Sequence, residues 1–255
     1  MAPQVDIVFK PVCLRFSVYR GSVVYHVAAD AYSQLDGMEN LLGIDTETQP
    51  IFDMNLGFLP VAHTVLVRGS RHIVVDPNNS YISGYGMMAA RLTELGTTID
   101  DIDVVVNTHC HHDHSAGNHT LRDRVLVVGK GELEAAQRLY GPEYVDAYFT
   151  GIMEEVREVG CDDGLVPIDD GVYVIKASGH SPGSICVLVE TEEERWAIMG
   201  DTVMMRQEYT ERAWGHWYTD EQVDDLNRAV DRVAEWGPTI VVPGHDSAFS
   251  TRLAG

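Results

Sequence analysis

Residues 108–118 have the sequence Thr-His-Cys-His-His-Asp-His-Ser-Ala-Gly-Asn and follow Asp103-Val104-Val105-Val106 after one intervening residue. A short valine-rich run bounded by polar residues is typical of a strand that is buried on both faces. The six positions after Thr108 hold four potential metal ligands and one spare imidazole, that of His112; the four are His109, His111, Asp113 and His114. The pattern predicts a metal site at the end of a buried strand.

The spacing within this segment indicates more than one ion. In an extended turn alternate side chains project to the same side, so His109 and His111 can reach one ion at about 2.0–2.1 Å. Asp113 and His114 lie past the bend, where they can reach a second ion. A purely structural role is disfavoured, because neighbouring imidazoles crowd one another and invite protonation near neutral pH.

Three further candidates follow predicted strands elsewhere in the chain. His180 lies in Gly179–Gly183, Asp201 follows the run Trp196–Met199, and His245 lies in Pro243–Asp246. The candidates offer imidazole and carboxylate without thiolate, a set that suits zinc, with iron or manganese as alternatives. We therefore expect two divalent ions, held by His109, His111, Asp113, His114, His180, Asp201 and His245.

The remaining hydrophobic patterns alternate between period 2 and period 3.6. Both halves of the chain run from strands to helix to strand, and two stacked sheets with helices outside would bury these patterns. The polar stretch Asp30–Pro50 is predicted as a loop or flap. A capping box at Thr219 and Gln222 predicts a helix start. Other helices are predicted near Met87–Leu95, Gly131–Tyr140 and Tyr144–Val159. Strands are predicted at Val5–Phe9, Leu14–Val18, Val23–Ala28, His63–Val67, His72–Val75, Val125–Val128, Val172–Lys176, Ile185–Glu190, Trp196–Met199 and Thr239–Val242.

Composition limits the partners. Among 255 residues, 39 acidic side chains oppose 18 Lys and Arg, for a net charge of −21. Such a surface repels phosphate backbones and anionic headgroups, so we expect a small-molecule substrate and neither nucleic acid nor membrane. No apolar run is long enough to span a bilayer, and no signal peptide is expected. The four scattered cysteines, without a CxxC pair, predict a reducing, cytoplasmic location. The oligomeric state stays open, a homodimer being one option.

The histidine segment and the later turns resemble those of the metallo-β-lactamase-fold hydrolase superfamily, whose motif is His-x-His-x-Asp-His. The resemblance extends from about Val23 to His245. The resemblance implies an αββα sandwich spanning 1–255 as one domain, with the metals at one edge. It also implies that His109, His111 and His180 hold the first ion. Asp113, His114 and His245 would hold the second ion, and Asp201 would bridge the two.

Within that superfamily the chain is most similar to the N-acyl-homoserine lactonase branch. The similarity rests on total length, the Gly-His-Ser-Pro-Gly turn, a single predicted helix between Asp201 and His245, and the short tail. Bona fide β-lactamases lack a bridging aspartate at the place of Asp201, which argues against antibiotic hydrolysis. One departure concerns the substrate: those lactonases carry a hydrogen-bonding tyrosine where this chain has Met204.

The resemblance and the ligand set imply a dinuclear hydrolase. Two close cations lower the pKa of a bridging water, and the resulting hydroxide attacks a lactone or related ester. Asp113 is the expected catalytic residue, orienting the hydroxide and passing its proton to the leaving group. Three alternatives remain: a thioesterase or other biosynthetic acyl hydrolase, an iron-dependent persulfide dioxygenase-like oxidoreductase, and a non-catalytic or metal-storage role. The predicted substrate pocket comprises Met204, Tyr209, Trp214, His216, Trp217 and Tyr218, although the aromatic residues among them could instead seal the core.

Overall fold

The computed structural model describes residues 2–19, 22–29, 54–78, 84–160 and 164–252. The predicted loop or flap at Asp30–Pro50 lies outside the described residues. Of the helices described, none combines the length and apolar character needed to cross a membrane.

Fifteen strands are described, and they are numbered here in chain order. They are β1 (Gln4–Phe9), β2 (Val12–Tyr19), β3 (Ser22–Ala29), β4 (Met54–Val61), β5 (Thr64–Arg68), β6 (His72–Val75), β7 (Val104–Val106), β8 (Val125–Gly129), β9 (Glu155–Val159), β10 (Val166–Asp169), β11 (Val172–Lys176), β12 (Ile185–Glu190), β13 (Arg195–Gly200), β14 (Ile240–Pro243) and β15 (Phe249–Ser250).

The described helices vary from one turn to nearly five. They are α1 (Gly84–Glu94), α2 (His112–Ser115), α3 (Glu132–Tyr140), α4 (Pro142–Val145), α5 (Arg206–Glu211) and α6 (Asp220–Trp236). A π-helical turn covers Asp146–Thr150, and 3-10 turns cover Ile99–Asp101, Ala116–Leu121 and Asp201–Val203. The predicted capping box of α6 is confirmed, since the Thr219 side chain accepts from Gln222 N and Gln222 Oε1 accepts from Thr219 N.

The strands form two six-stranded sheets and one three-stranded sheet. The first sheet has the order β1-β5-β6-β7-β8-β9, the second β10-β11-β12-β13-β14-β15, and the small one β3-β2-β4. Strands β6 to β9 run parallel, as do β13 and β14. Because the carboxyl ends of parallel strands meet at one edge of a sheet, the segments after β6 and β7 lie close together, as do those after β13 and β14.

Three hydrophobic clusters reveal the layers. Alternate residues of one strand face opposite sides of a sheet, and β7 follows this rule: Val104 and Val106 join an inner cluster, whereas Val105 joins an outer one. The inner cluster also contains Val174, Val187 and other second-sheet residues, so it fills the space between the two sheets. On the outer face of the first sheet, α1 and α3 contribute Met88, Leu92 and Ala136.

Helix α6 covers the outer face of the second sheet. Its Ala229, Val230 and Val233 pack with Leu188 and Met199 of the sheet. The order of layers is helix, sheet, sheet, helix, and the predicted αββα sandwich is confirmed.

The predicted helix Tyr144–Val159 is confirmed only as far as Thr150 and is wrong beyond it. Helical backbone ends after the π turn, and Glu155–Val159 forms the edge strand β9, paired in parallel with β8. Gly151, which ends the π turn, contributes to the break. The ladder to β8 then satisfies the backbone groups of a segment whose Glu and Arg side chains favour a helix. Local propensity is thus overridden by pairing with a neighbouring strand.

Other predictions need smaller corrections. The chain between Asp201 and His245 contains two helices, α5 and α6, where one was predicted. Helix α5 is stabilised at its start by Glu208, whose carboxylate accepts from the backbone N–H groups of Met204 and Met205. Strands β4, β10 and β15 were not predicted at all.

Candidate metal centre

The histidine segment begins at Thr108, two residues after the end of β7, and turns through α2. His111 is the residue before this one-turn helix, and its carbonyl accepts from the Ser115 hydroxyl at 2.9 Å. The turn separates His109 and His111 from Asp113 and His114, as predicted. Thus one short segment supplies side chains to two neighbouring positions.

Asp76, directly after β6, holds the histidine segment in place through hydrogen bonds. Its Oδ1 accepts from the Thr108 backbone N–H at 2.7 Å, and its Oδ2 accepts from the Thr108 hydroxyl at 2.7 Å. Oδ2 also lies 2.9 Å from Nδ1 of His114. Because this contact leaves Nε2 of His114 facing the cluster, Asp76 sets the orientation of that ring.

The turn that carries His180 packs against α6. Gly179 has φ +136°, and a Cβ there would lie 2.8 Å from Cδ2 of Leu226. Gln222 Nε2 donates to the Gly179 carbonyl at 3.1 Å. The phenol oxygen of Tyr218 lies 2.9 Å from Nδ1 of His180. These contacts leave Nε2 of His180 directed at the histidine segment.

Asp201 and His245 follow the parallel strands β13 and β14. The Gly244 N–H donates to the carbonyls of Gly200 and Val203 at 3.0 and 2.9 Å, and His245 N donates to Met204 O at 3.0 Å. A Cβ on Gly244 would overlap Oδ1 of Asp201. The absence of a side chain at Gly244 therefore lets the two loops approach this closely.

The structure brings all seven predicted ligands together in two sets of four that share Asp201. Within each set the candidate ligand atoms all lie within 4.8 Å of one another. The first set is His109, His111, His180 and Asp201, and the second is Asp113, His114, Asp201 and His245.

The two oxygens of Asp201 face different sets. Oδ2 lies 3.4 Å from Nε2 of His180 and 3.9 Å from Nε2 of His109. Oδ1 lies 3.1 Å from Nε2 of His114 and 3.3 Å from Nε2 of His245. A carboxylate placed in this way can contact one ion with each oxygen.

Burial and neighbouring charge divide the histidines by pKa. Burial, reinforced by the surrounding imidazoles, holds the pKa of His109 well below its usual range, and burial lowers that of His180 to about 4. For His114 and His245 burial opposes the charged form, but the nearby carboxylates outweigh it. They raise the pKa of His114 well above its usual range and that of His245 to about 9. His114 and His245 are thus the imidazoles that hold protons without a metal.

The donor chemistry of the cluster fits divalent cations. Among the described residues, Nε2 of His109 is buried without a hydrogen-bond partner. Nε2 of His114 and Oδ1 of Asp201 contact each other at 3.1 Å but likewise make no properly oriented hydrogen bond. Buried polar atoms of this kind are costly unless a partner satisfies them. A metal ion in each set would accept these lone pairs, and imidazole with carboxylate suits zinc.

The predicted pocket residues have different positions. Tyr209 and Trp214 pack against the hydrophobic cluster between α6 and the second sheet. Trp214 Nε1 donates to Asn227 Oδ1 at 3.0 Å, so these two residues seal the core. His216 is exposed, as is Trp217 with 57% of its surface. Tyr218 and Met204 contact the site. The Tyr218 phenol lies next to His180 Nδ1, and the Met204 carbonyl accepts from His245 N.

A cavity of about 340 Å³ opens beside the first set, with His111 and His180 in its wall. Helix α3 forms one side with Ala135, Ala136, Arg138 and Leu139. These residues are not among those predicted for the site from the sequence. Their helix was predicted, but no local pattern indicated that its side chains would face His111.

Comparisons with known proteins agree with this geometry. The family model described as the metallo-beta-lactamase superfamily matches residues 56–245. A probable metallo-hydrolase of Methanocaldococcus jannaschii is 25% identical over 154 residues, which cover 56% of this chain and 67% of that protein. An N-acyl homoserine lactonase of Bacillus cereus is 29% identical over 109 residues, covering 42% of this chain and 41% of the lactonase. The match thus spans about two fifths of the lactonase's length.

Solved structures show the same fold at low identity. A putative metallo-beta-lactamase from Thermotoga maritima has a TM-score of 0.61 at 18% identity, covering 98% of this chain and all of that one. The B. thuringiensis protein AiiA, in a mutant form with N-decanoyl-L-homoserine bound at its active site, has a TM-score of 0.64 at 18% identity, covering 96% and 94%. With the family model matching most of its length, the chain belongs to the metallo-beta-lactamase superfamily of metal-dependent hydrolases.

Proposed function

We propose that the chain is a dinuclear metal-dependent hydrolase that opens a lactone or cleaves a related ester. The observation that carries the proposal is the position of Asp201, whose two oxygens face two separate sets of ligands. In this proposal His109, His111 and His180 hold the first ion, Asp113, His114 and His245 hold the second, and Asp201 contacts both. Zinc is the proposed metal, because the sets offer imidazole and carboxylate without thiolate.

When bound, a pair of such ions supplies Lewis acidity, which makes water acidic enough to act as a nucleophile near neutral pH and polarises a carbonyl. The protein residues position and move protons around that reaction. Asp113 is the proposed proton carrier, since its side chain is 16% exposed whereas that of Asp201 is 4% exposed. Its Oδ2 lies 3.1 Å from Nε2 of His245. A carboxylate held at the edge of the cluster can take a proton from water and give it to a leaving alkoxide.

The substrate assignment is supported by the lactonases among the similar proteins and by the cavity beside His111 and His180. That cavity combines the apolar side chains of Ala135, Ala136 and Leu139 with Arg138 and is of a size to admit part of a small molecule. We further propose a reducing compartment for the chain, in line with the free, buried thiols of Cys110 and Cys186.

The test is a substrate panel with the zinc-loaded protein: N-acyl homoserine lactones, simple lactones, acyl thioesters and aryl esters. The proposal predicts the highest kcat/KM on a lactone or an oxygen ester. Preference for thioesters by about tenfold or more would replace it with a thioesterase. Oxygen uptake with a persulfide, supported by one iron per chain, would replace it with a persulfide dioxygenase.

A further inference from the structure

The carboxylate of Glu132 lies between the two segments that carry His111 and His180. Glu132 is the first residue of α3 and is almost fully buried, with 1% of its surface exposed. Its Oε1 accepts from the Cys110 backbone N–H at 3.0 Å. Its Oε2 accepts from the Ser181 hydroxyl at 2.6 Å and from the Gly183 N–H at 2.9 Å. One side chain therefore bonds to both segments.

These bonds fall next to the predicted ligands. Cys110 stands between His109 and His111, and Ser181 directly follows His180. The bases of the two segments are already joined, because Ile185 N donates to Thr108 O at 2.9 Å. Glu132 adds a second connection close to the histidines themselves, where Nε2 of His180 lies 3.0 Å from Nδ1 of His111.

The backbone of Gly183 packs closely against Glu132. A Cβ on Gly183 would lie 2.7 Å from the backbone nitrogen of Glu132 and 2.8 Å from its Cβ. Only glycine allows the Gly183 N–H to come this close. A buried carboxylate costs free energy unless hydrogen bonds satisfy it, and here three uncharged donors do so. An apolar residue at 132 would leave the loop N–H groups without that acceptor.

We propose that Glu132 is a positioning residue that sets the distance between His111 and His180 and thereby the affinity of the first set for its ion. The inference rests on the proposed metal centre and concerns one half of it. Asp76 has the corresponding position for the second set, where it bonds to Thr108 and to Nδ1 of His114. Glu132 acts differently, because it fixes the backbone on both sides rather than an imidazole.

The test is a zinc titration of the metal-free chain by competition with a chelator, which resolves two binding steps. His180→Ala and His245→Ala identify the first-set and second-set steps. Glu132→Gln keeps the shape of the side chain but turns an amide NH₂ toward donors that need an acceptor. We expect it to weaken the first-set step by about 10–100-fold and to change the second by less than about threefold.

Two further variants complete the design. Glu134→Gln removes the same charge from an exposed position two residues along α3, where the side chain pairs with Arg138, and is expected to leave both steps unchanged. Ser181→Ala removes one of the three bonds and is expected to weaken the first-set step in the same direction by a smaller factor. If Glu132→Gln does not fold, as judged by circular dichroism, Ser181→Ala decides the question.

Three results would overturn the proposal. Wild-type affinity at both steps in Glu132→Gln, or in Ser181→Ala where that variant decides, would show that the carboxylate does not act on the site. Equal weakening of both steps would indicate general destabilisation, and an altered KM with both affinities intact would indicate a substrate contact. If the metal centre itself is wrong, wild type and His180→Ala bind zinc alike, which is a different outcome from any of these.

Discussion

The imidazole of His180 contacts the phenol of Tyr218 with one nitrogen and the candidate metal cluster with the other. Nδ1 lies 2.9 Å from Tyr218 Oη, whereas Nε2 lies 3.0 Å from His111 Nδ1. The Tyr218 hydroxyl in turn donates to Met204 Sδ at 3.7 Å. Burial raises the pKa of Tyr218, so the phenol keeps its proton. This series of hydrogen bonds selects the tautomer of His180: Nδ1 carries the proton and donates to Tyr218, and Nε2 keeps a lone pair for a metal.

Tyr218→Phe should therefore weaken the first metal step by about 10–100-fold, because His180 loses the partner that orients it. At saturating zinc, kcat should fall by much less than the roughly 10²–10³ that loss of an oxyanion donor costs. Zinc competition and steady-state kinetics measure the two effects separately. Tyr209→Phe is the matched control, since that ring packs against Phe249 beneath α6 and is expected to change neither quantity.

The opposite pattern in Tyr218→Phe, with kcat lower by 10² or more and both ions retained, would contradict this role. It would mean that Tyr218 donates to the substrate oxygen in place of the tyrosine that the lactonases carry at the position of Met204. Met204→Tyr tests the pocket separately: increased lactone hydrolysis in that variant would place the substrate pocket close to that of the lactonases.

Asp76→Asn should weaken the second metal step and lower the free energy of unfolding by about 1–3 kcal/mol, because three donors converge on this carboxylate and an amide cannot accept from all of them. Zinc competition and urea unfolding are the measurements. Asp103→Asn is the control: Asp103 also sits beside a strand and accepts from His72 N, but on the exposed surface. Unchanged second-set affinity in Asp76→Asn would show that His114 does not depend on it.

Gly244→Ala should remove both ions. The new methyl group would overlap Oδ1 of Asp201 and lie 3.0 Å from the carbonyl of Gly200, displacing the one carboxylate that belongs to both sets. Metal analysis after dialysis against zinc provides the measurement. Gly160→Ala is the control, because its methyl would meet nothing closer than Lys130 Cδ at 4.0 Å. A Gly244→Ala chain that retains two ions would argue against Asp201 as the shared ligand.

Because His63 is buried, we expect the free energy of unfolding of the metal-free chain to depend on pH. Its Nδ1 lies 2.7 Å from Pro243 O, and burial lowers its pKa from 6.5 to about 4. Between these values the unfolded chain binds more protons than the folded one, so stability is full above about pH 6.5 and falls as the pH drops toward 4. From pH 7.5 to 5 the contribution of His63 to unfolding free energy should fall by about 2 kcal/mol.

The measurement for His63 is urea unfolding of the metal-free chain at the two pH values, compared with His63→Asn. Asparagine keeps a donor near the position of Nδ1 but does not titrate, so the variant should lose about 2 kcal/mol less over the interval. An equal loss in both proteins would assign the acid sensitivity to other groups.

The layers and the ligand cluster could be predicted from the sequence because their signals are local. Val104-Val105-Val106 is a recognisable buried strand, and the histidine motif begins three residues after it, at His109. That Asp201 and His245 serve a common ion was implied by the resemblance rather than by any pattern in either segment. The structure brings them together through the parallel pairing of β13 with β14.

What could not be predicted depends on contacts between distant segments. Asp76 looked like a strand-ending residue, and nothing near it in sequence indicated three bonds to residues 108 and 114. Glu132 looked like an ordinary acidic residue in the first turn of a helix, where it is favoured by the helix dipole. Glu155–Val159 has the composition of a helix and becomes a strand only because β8 offers a free edge.

The measurement that tests the dinuclear hydrolase most directly is a titration of the metal-free chain with zinc while hydrolysis of its best lactone is followed. Binding should end at two ions per chain, and the rate should rise until the second equivalent is bound. In Asp201→Ala, neither zinc binding nor the hydrolysis rate should level off at the zinc concentration that saturates the wild type. Full activity with a single equivalent, or two tightly bound ions in Asp201→Ala, would contradict a site in which both ions act together through Asp201.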